Sequence, residues 1–199
     1  MNIAQKIKQT FDPYFVVPID AWESFVELGE IIEIPKSKIV KENNTTERYL
    51  HFILEGCGGI LLWNKNNFVC IDLSFEGDFF SDYMSFLSKT PTSIEVITFE
   101  TCKLFRISRI RFEKIGDIPV YGEKIRRVAA EGLFVHKQNQ QIKMLTQTAK
   151  KRYLELQATQ PNILQRVPQK YIASYLGITP QSLSRIKTEI TMDRLPYGN

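Results

Sequence analysis

The chain has 199 residues, 43% of them hydrophobic and 24% charged, with a net charge of +4. That length suits one large domain or two small ones with buried cores, and the composition excludes a disordered chain. No apolar run approaches the roughly 20 residues of a membrane span, and the opening MNIAQKIKQT lacks the long apolar stretch of a secretory signal. No membrane partner and a cytoplasmic location are therefore expected.

From Met1 to Glu30 a helical pattern is broken at Pro13 and Pro18, with Ile19, Trp22, Phe25, Val26 and Leu28 as core candidates. From Ile31 to Ile107 the texture changes to short β-rich runs: IIEI, KIVK, RYLHFIL, GGILLW, FVCIDL, SIEVITF and CKLFRI. Turn signals such as ENNTT, EGCGG, NKNN and FEGD separate them. This is the spacing of an antiparallel sandwich or barrel, here a compact β-roll. Cys57, Cys70 and Cys102 are odd in number and widely spaced, so they read as buried thiols, not disulfides or zinc ligands. His51 and His136 stand far apart. No paired carboxylates, phosphate loop, nucleophile elbow or metal cluster is visible, so no catalytic residue, metal or cofactor is assigned and no enzyme is expected.

From Tyr121 onward the period turns helical. Ile125, Val128, Gly132, Val135, Asn139, Ile142, Thr146, Ala149, Tyr153 and Leu156 recur at alternating spacings of three and four, as along a coiled-coil seam. Roughly 30 residues of helix would be about 45 Å long. Pairing with a second copy buries such a seam most simply, with Val128, Val135, Asn139 and Ile142 at its centre. Asn139 suits a register-fixing position, because two facing amides bond each other in one alignment only. The alternative is that the seam packs on the chain's own β-domain. Pro161 ends the helix near Thr159.

The next stretch contains KYIASYLGITPQSLSRIK, residues 170–187. Pro168 suits a first helical turn, Tyr171, Ile172, Tyr175 and Leu176 follow at helical spacing, and Gly177 stops the helix. Thr179 is a good N-cap, and Pro180 opens a second helix carrying Leu183 and Ile186 inward. A helix, a short turn with glycine and a second helix make a helix-turn-helix. Between Leu156 and Thr188 there is no Asp or Glu, which suits a polyanion partner. Gln181 and Arg185, four apart on the outward side, have the donors to read adenine and guanine edges in DNA. Arg166, Gln169, Lys170, Thr179, Ser182 and Lys187 are the candidate phosphate contacts.

With β-roll, long helix and helix-turn-helix in this order, the chain resembles the Crp/Fnr (cyclic-AMP receptor protein) family of bacterial transcription regulators. RYLHFILEGCGGILLW, FEGDFFSDYMSF, CKLFRIS and QKYIASYLGITPQSLSRIK carry the resemblance over nearly the whole length. It implies an α+β architecture: a β-roll over 1–120 like a cyclic-nucleotide-binding domain, a dimerisation helix over 121–158 and a short winged-helix-like unit over 159–199. The family's recognition positions fall on Pro180, Gln181 and Arg185. Arg185 agrees, whereas Gln181 replaces the usual Glu and Pro180 a base-contacting Arg.

The family's ligand-binding G-E and R-S pairs fall on Ser81-Asp82 and Thr92-Ser93. Losing that Arg would leave a buried phosphate unpaired, so cyclic AMP is not the expected effector. Phe79, Asp82, Ser93 and Phe134 are the candidate pocket, open to another small-molecule effector or collapsed. TQPNILQR is too short for the β-hairpin often found before the helix-turn-helix. The resemblance implies a homodimeric, sequence-specific DNA-binding regulator with double-stranded DNA, a second copy and RNA polymerase as partners. The alternative is a ligand-sensing module whose helix-turn-helix serves protein–protein interaction.

Overall fold

The computed structural model describes residues 2–13 and 15–193. Helix α1 (Ile3–Phe11) opens on a capping box, in which the Asn2 side chain accepts from the Ala4 amide and the Gln5 side chain reaches back. It buries Ala4, Ile7 and Phe11 against α2 (Ile19–Glu27), whose Trp22 stacks on Phe11 at 5.1 Å between ring centroids. All seven β-rich runs form strands: β1 (Glu30–Ile34), β2 (Ile39–Lys41), β3 (Tyr49–Glu55), β4 (Gly58–Asn64), β5 (Asn67–Ser74), β6 (Ile94–Thr98) and β7 (Cys102–Ser108). They pair antiparallel in two sheets, ordered β1-β7-β3 and β2-β6-β4-β5.

Two short helices were not legible in the sequence. The Asp82 side chain accepts from the Ser85 amide to start α3 (Tyr83–Ser88), and Ser108 does the same for Arg111 at α4 (Arg109–Glu113). The roll's interior holds Ile53, Ile60, Phe80, Ile94, Val96, Cys102 and Leu104. Cys57, Cys70 and Cys102 are buried free thiols. Burial pushes Cys70 up to about 12, against a partial opposing pull from Lys137.

Helix α5 spans Gly122–Thr146 and buries only Gly122 and Ile125. It is shorter than the expected helix. Gln147 is extended, and the Thr148 side chain accepts from the Lys151 amide to start a separate helix, α6 (Ala149–Thr159). A threonine that caps a new helix competes with continuation of the old one. The predicted seam therefore ends at Thr146, and Tyr153 is buried among the helix-turn-helix residues instead.

Helices α7 (Ile163–Arg166), α8 (Gln169–Tyr175) and α9 (Pro180–Asp193) complete the chain. The TQPNILQR stretch thus holds a one-turn helix. Helix α8 lies on β5, and the two parts share one apolar core. Cys57, Leu61, Cys70, Leu73, Phe75 and Phe99 of the roll meet Ile163, Val167, Tyr171, Ile172, Leu176 and Leu183.

Candidate nucleic-acid interface

The turn between α8 and α9 follows from its residues. Gly177 takes φ +65°, a left-handed conformation that suits glycine, and the Ile178 amide donates to the Ala173 carbonyl at 3.0 Å. Thr179 then caps α9, its Oγ1 accepting from the Ser182 amide at 3.1 Å. Leu183 and Ile190 are buried, which fixes the roll angle of α9. Gln181, Ser184, Arg185 and Thr188 are consequently exposed on its outer side. Among the described residues Arg185 has no ion-pair partner, and the acids at the far end of α9 are engaged by Lys150, at 3.5 Å from Glu189 and 3.0 Å from Asp193. Gln181 and Arg185 thus share one free face, in the arrangement their spacing predicts.

The phosphate candidates divide. Gln169 and Lys170 are exposed at the start of α8, and the Lys170 ammonium stands 4.7 Å from the Tyr171 ring centroid. Ser182 is half-buried beside the Thr179 cap, and Lys187 is half-buried about two turns further along α9. Arg166 differs from the expectation. Its Nε donates to Glu100 at 3.0 Å, its Nη1 to Glu76 at 3.1 Å and its Nη2 to Glu76 at 2.6 Å. Those carboxylates lie far away in sequence and arrive only through the fold, so Arg166 clamps the helix-turn-helix to the roll and is not free for phosphate in this conformation. Tyr171 adds to the clamp, stacked on Phe99 with centroids 4.5 Å apart, while Ser174 Oγ accepts from the Cys70 amide at 2.9 Å.

The seam candidates on α5 are open. Val128 is half-buried, Asn139 is exposed, and Val135 and Ile142 are 53% and 54% exposed. Phe134 and Leu145 extend the same apolar strip, 65% and 79% exposed. The chain's own roll therefore does not cover this face.

The four pocket candidates are not brought together. Phe79 packs against Phe11 and Phe52, Ser93 is exposed, and Phe134 points into solvent on α5. Asp82 is buried and bonded. Lys41 reaches it at 2.9 Å, their side chains being 3% and 0% exposed, and also donates to Thr92 Oγ1 at 2.9 Å and the Ile94 carbonyl at 2.7 Å. Thr92 in turn donates to Asp82. Phe80 fills the interior beside this network, where a Cβ at Gly58 would overlap its ring. The place where the family resemblance puts a ligand is thus filled by the chain itself. Sequence reasoning missed Lys41, because a lysine ending a strand gives no sign of burial. His51 lies behind the same loop, its Nδ1 3.1 Å from Ser81 Oγ, and burial, with the Arg106 charge second, pushes it down to about 3.

A roll of two antiparallel sheets, a long helix and a terminal helix-turn-helix is the architecture of the Crp/Fnr-type regulators. The global regulator CLP of Xanthomonas campestris, described as c-di-GMP responsive, superposes with a TM-score of 0.63 at 13% identity, covering 92% of this chain and 96% of its own. FixK2 from Bradyrhizobium japonicum gives 0.68 at 15% identity over 83% and 85%, and the Thermus thermophilus catabolite activator protein 0.54 at 13% over 92% and 87%. No protein-family model and no curated protein sequence matches. At such identities the likeness is one of fold, and these neighbours are regulatory proteins. Among the described residues no helix is long and apolar enough to cross a membrane.

Proposed function

We propose that the chain is a sequence-specific DNA-binding transcription regulator and not an enzyme. It works as a homodimer joined along α5, without control by cyclic AMP. The observation that carries this reading is the outer face of α9, where Gln181 and Arg185 are exposed on a helix anchored by Leu183 and Ile190. Arginine and glutamine in this placement can each make two bonds to a base edge in the major groove. The bare apolar strip of α5 supports pairing with a second copy, which would set two recognition helices about 34 Å apart on a near-palindromic site. The filled roll interior supports independence from cyclic AMP, since a phosphate there would have to displace the buried Lys41–Asp82 pair. RNA polymerase is the partner on which such a regulator would act.

A mobility-shift selection from a pool of genomic fragments tests the reading. Arg185→Ala should lower affinity for the selected site by about 1–3 kcal/mol and relax its sequence there. Lys170→Ala should weaken all sequences alike and reduce the salt slope by about one charge. Salt-insensitive behaviour with no retention on DNA would instead assign the helix-turn-helix to protein–protein interaction.

A further inference from the structure

The hairpin of β4 and β5 runs beside the helix-turn-helix, and side-chain contacts fix its direction. Ser174 Oγ accepts from the Cys70 amide at 2.9 Å. Nearer the start of α8, the Tyr171 ring lies 5.4 Å from that of Phe68, and the Lys170 ammonium stands 6.0 Å from the Phe68 ring centroid. Moving from Cys70 to Phe68 toward the hairpin turn therefore matches moving from Ser174 to Lys170 toward the start of α8. A strand rises about 3.4 Å per residue and a helix about 1.5 Å. The turn at Lys65 and Asn66 accordingly extends beyond the end of α8 that carries the exposed Gln169 and Lys170.

That turn is polar and short of acid. Asn64, Lys65, Asn66 and Asn67 are all exposed, and no Asp or Glu stands between Glu55 and Asp72. On the adjoining strand β6, Glu95 is buried opposite Leu61, four residues away from Lys65. The helix-turn-helix stretch from Leu156 to Thr188 is acid-free as well. Two acid-free segments, 104 positions apart where Cys70 meets Ser174, are thus brought side by side by the fold. One ammonium among three carboxamides suits a phosphodiester backbone: the lysine supplies charge and the amides supply donors, without reading a base. Lys65 also takes φ +55°, a left-handed turn position that glycine or asparagine fills at less cost.

We infer that the turn between β4 and β5 is a DNA-backbone contact made by the roll, with Lys65 and its flanking asparagines on phosphates beyond those met by Gln169 and Lys170. The inference rests on the DNA-binding reading above and extends its interface to the roll. Such a contact adds affinity and salt dependence and leaves sequence preference unchanged.

Mobility shifts on the selected site over a salt series test it. Lys65→Gly and Lys65→Asn both suit the turn, so the melting temperature should hold or rise. The slope of log affinity against log salt should nevertheless shrink by about 0.9 for each protomer, with affinity at about 0.1 M salt falling roughly fivefold to tenfold. Lys36→Ala is the control for net charge: Lys36 is exposed, and its neighbour Ser37 bonds Thr98, which pairs with Gly58 at the opposite end of β4. It should leave the slope unchanged. A wild-type slope in both Lys65 variants, while Arg185→Ala still relaxes the sequence, overturns the contact and leaves the DNA-binding reading standing. An equal loss in Lys36→Ala also overturns it, and no retention of the wild-type chain on DNA overturns both.

Discussion

The interior of the roll and the C-terminal helices differ in who supplies the charges. In the roll, Lys41, Asp82 and Thr92 satisfy one another, and Phe80 occupies the space between the sheets. On α6, Arg152 has no carboxylate partner among the described residues. The same contrast separates two arginines of the C-terminal unit: Arg166 is held by Glu76 and Glu100, while Arg152, fourteen positions earlier, bonds a backbone carbonyl and no carboxylate among the described residues. A polar network that closes on itself specifies structure, whereas an unpaired buried polar group is costly.

The strongest way to break this contrast is to open the roll. Asp82→Asn leaves the buried Lys41 ammonium without its counter-charge and should cost about 3–5 kcal/mol in urea unfolding. The double replacement Lys41→Met/Asp82→Leu should recover much of that loss, because no uncompensated charge is then buried.

His51 sharpens the contrast through pH. Its folded value, about 3, lies below the ordinary 6.5, so the stability it contributes is present above pH 6.5 and is lost as pH falls toward 3. Between pH 7.5 and pH 5 this amounts to about 2 kcal/mol. His51→Gln should flatten that part of the stability profile, read as the urea midpoint against pH.

The smallest effect concerns the clamp. Glu76→Gln with Glu100→Gln removes two partly exposed ion pairs and should cost about 1 kcal/mol or less. A single melting transition should persist, because the roll and the helix-turn-helix share the core of Phe99, Tyr171, Ile172 and Leu176. Two separated transitions in calorimetry would show that the charges, and not the shared core, join the two parts.

Much of the fold is written locally. The β-rich runs between Ile31 and Ile107 matched strands, because alternation and turn residues act over a few positions. Gly177, Thr179 and Pro180 marked the helix-turn-helix for the same reason, and the Leu183/Ile186 spacing turned Gln181 and Arg185 outward. The long helix was overread: periodicity continued through Thr146, Ala149 and Tyr153, while the cap at Thr148 outweighed it.

The sequence by itself determined the order of elements, the turn chemistry and the outward face of α9, all of which rest on interactions a few residues apart. Only the tertiary structure decided which charges are satisfied. Lys41 meets Asp82 across 41 positions, Arg166 meets Glu76 across 90, and Arg152 pairs with no acid among the described residues. Pairing of that kind depends on where the sheets and helices bring side chains together, and no local pattern encodes it.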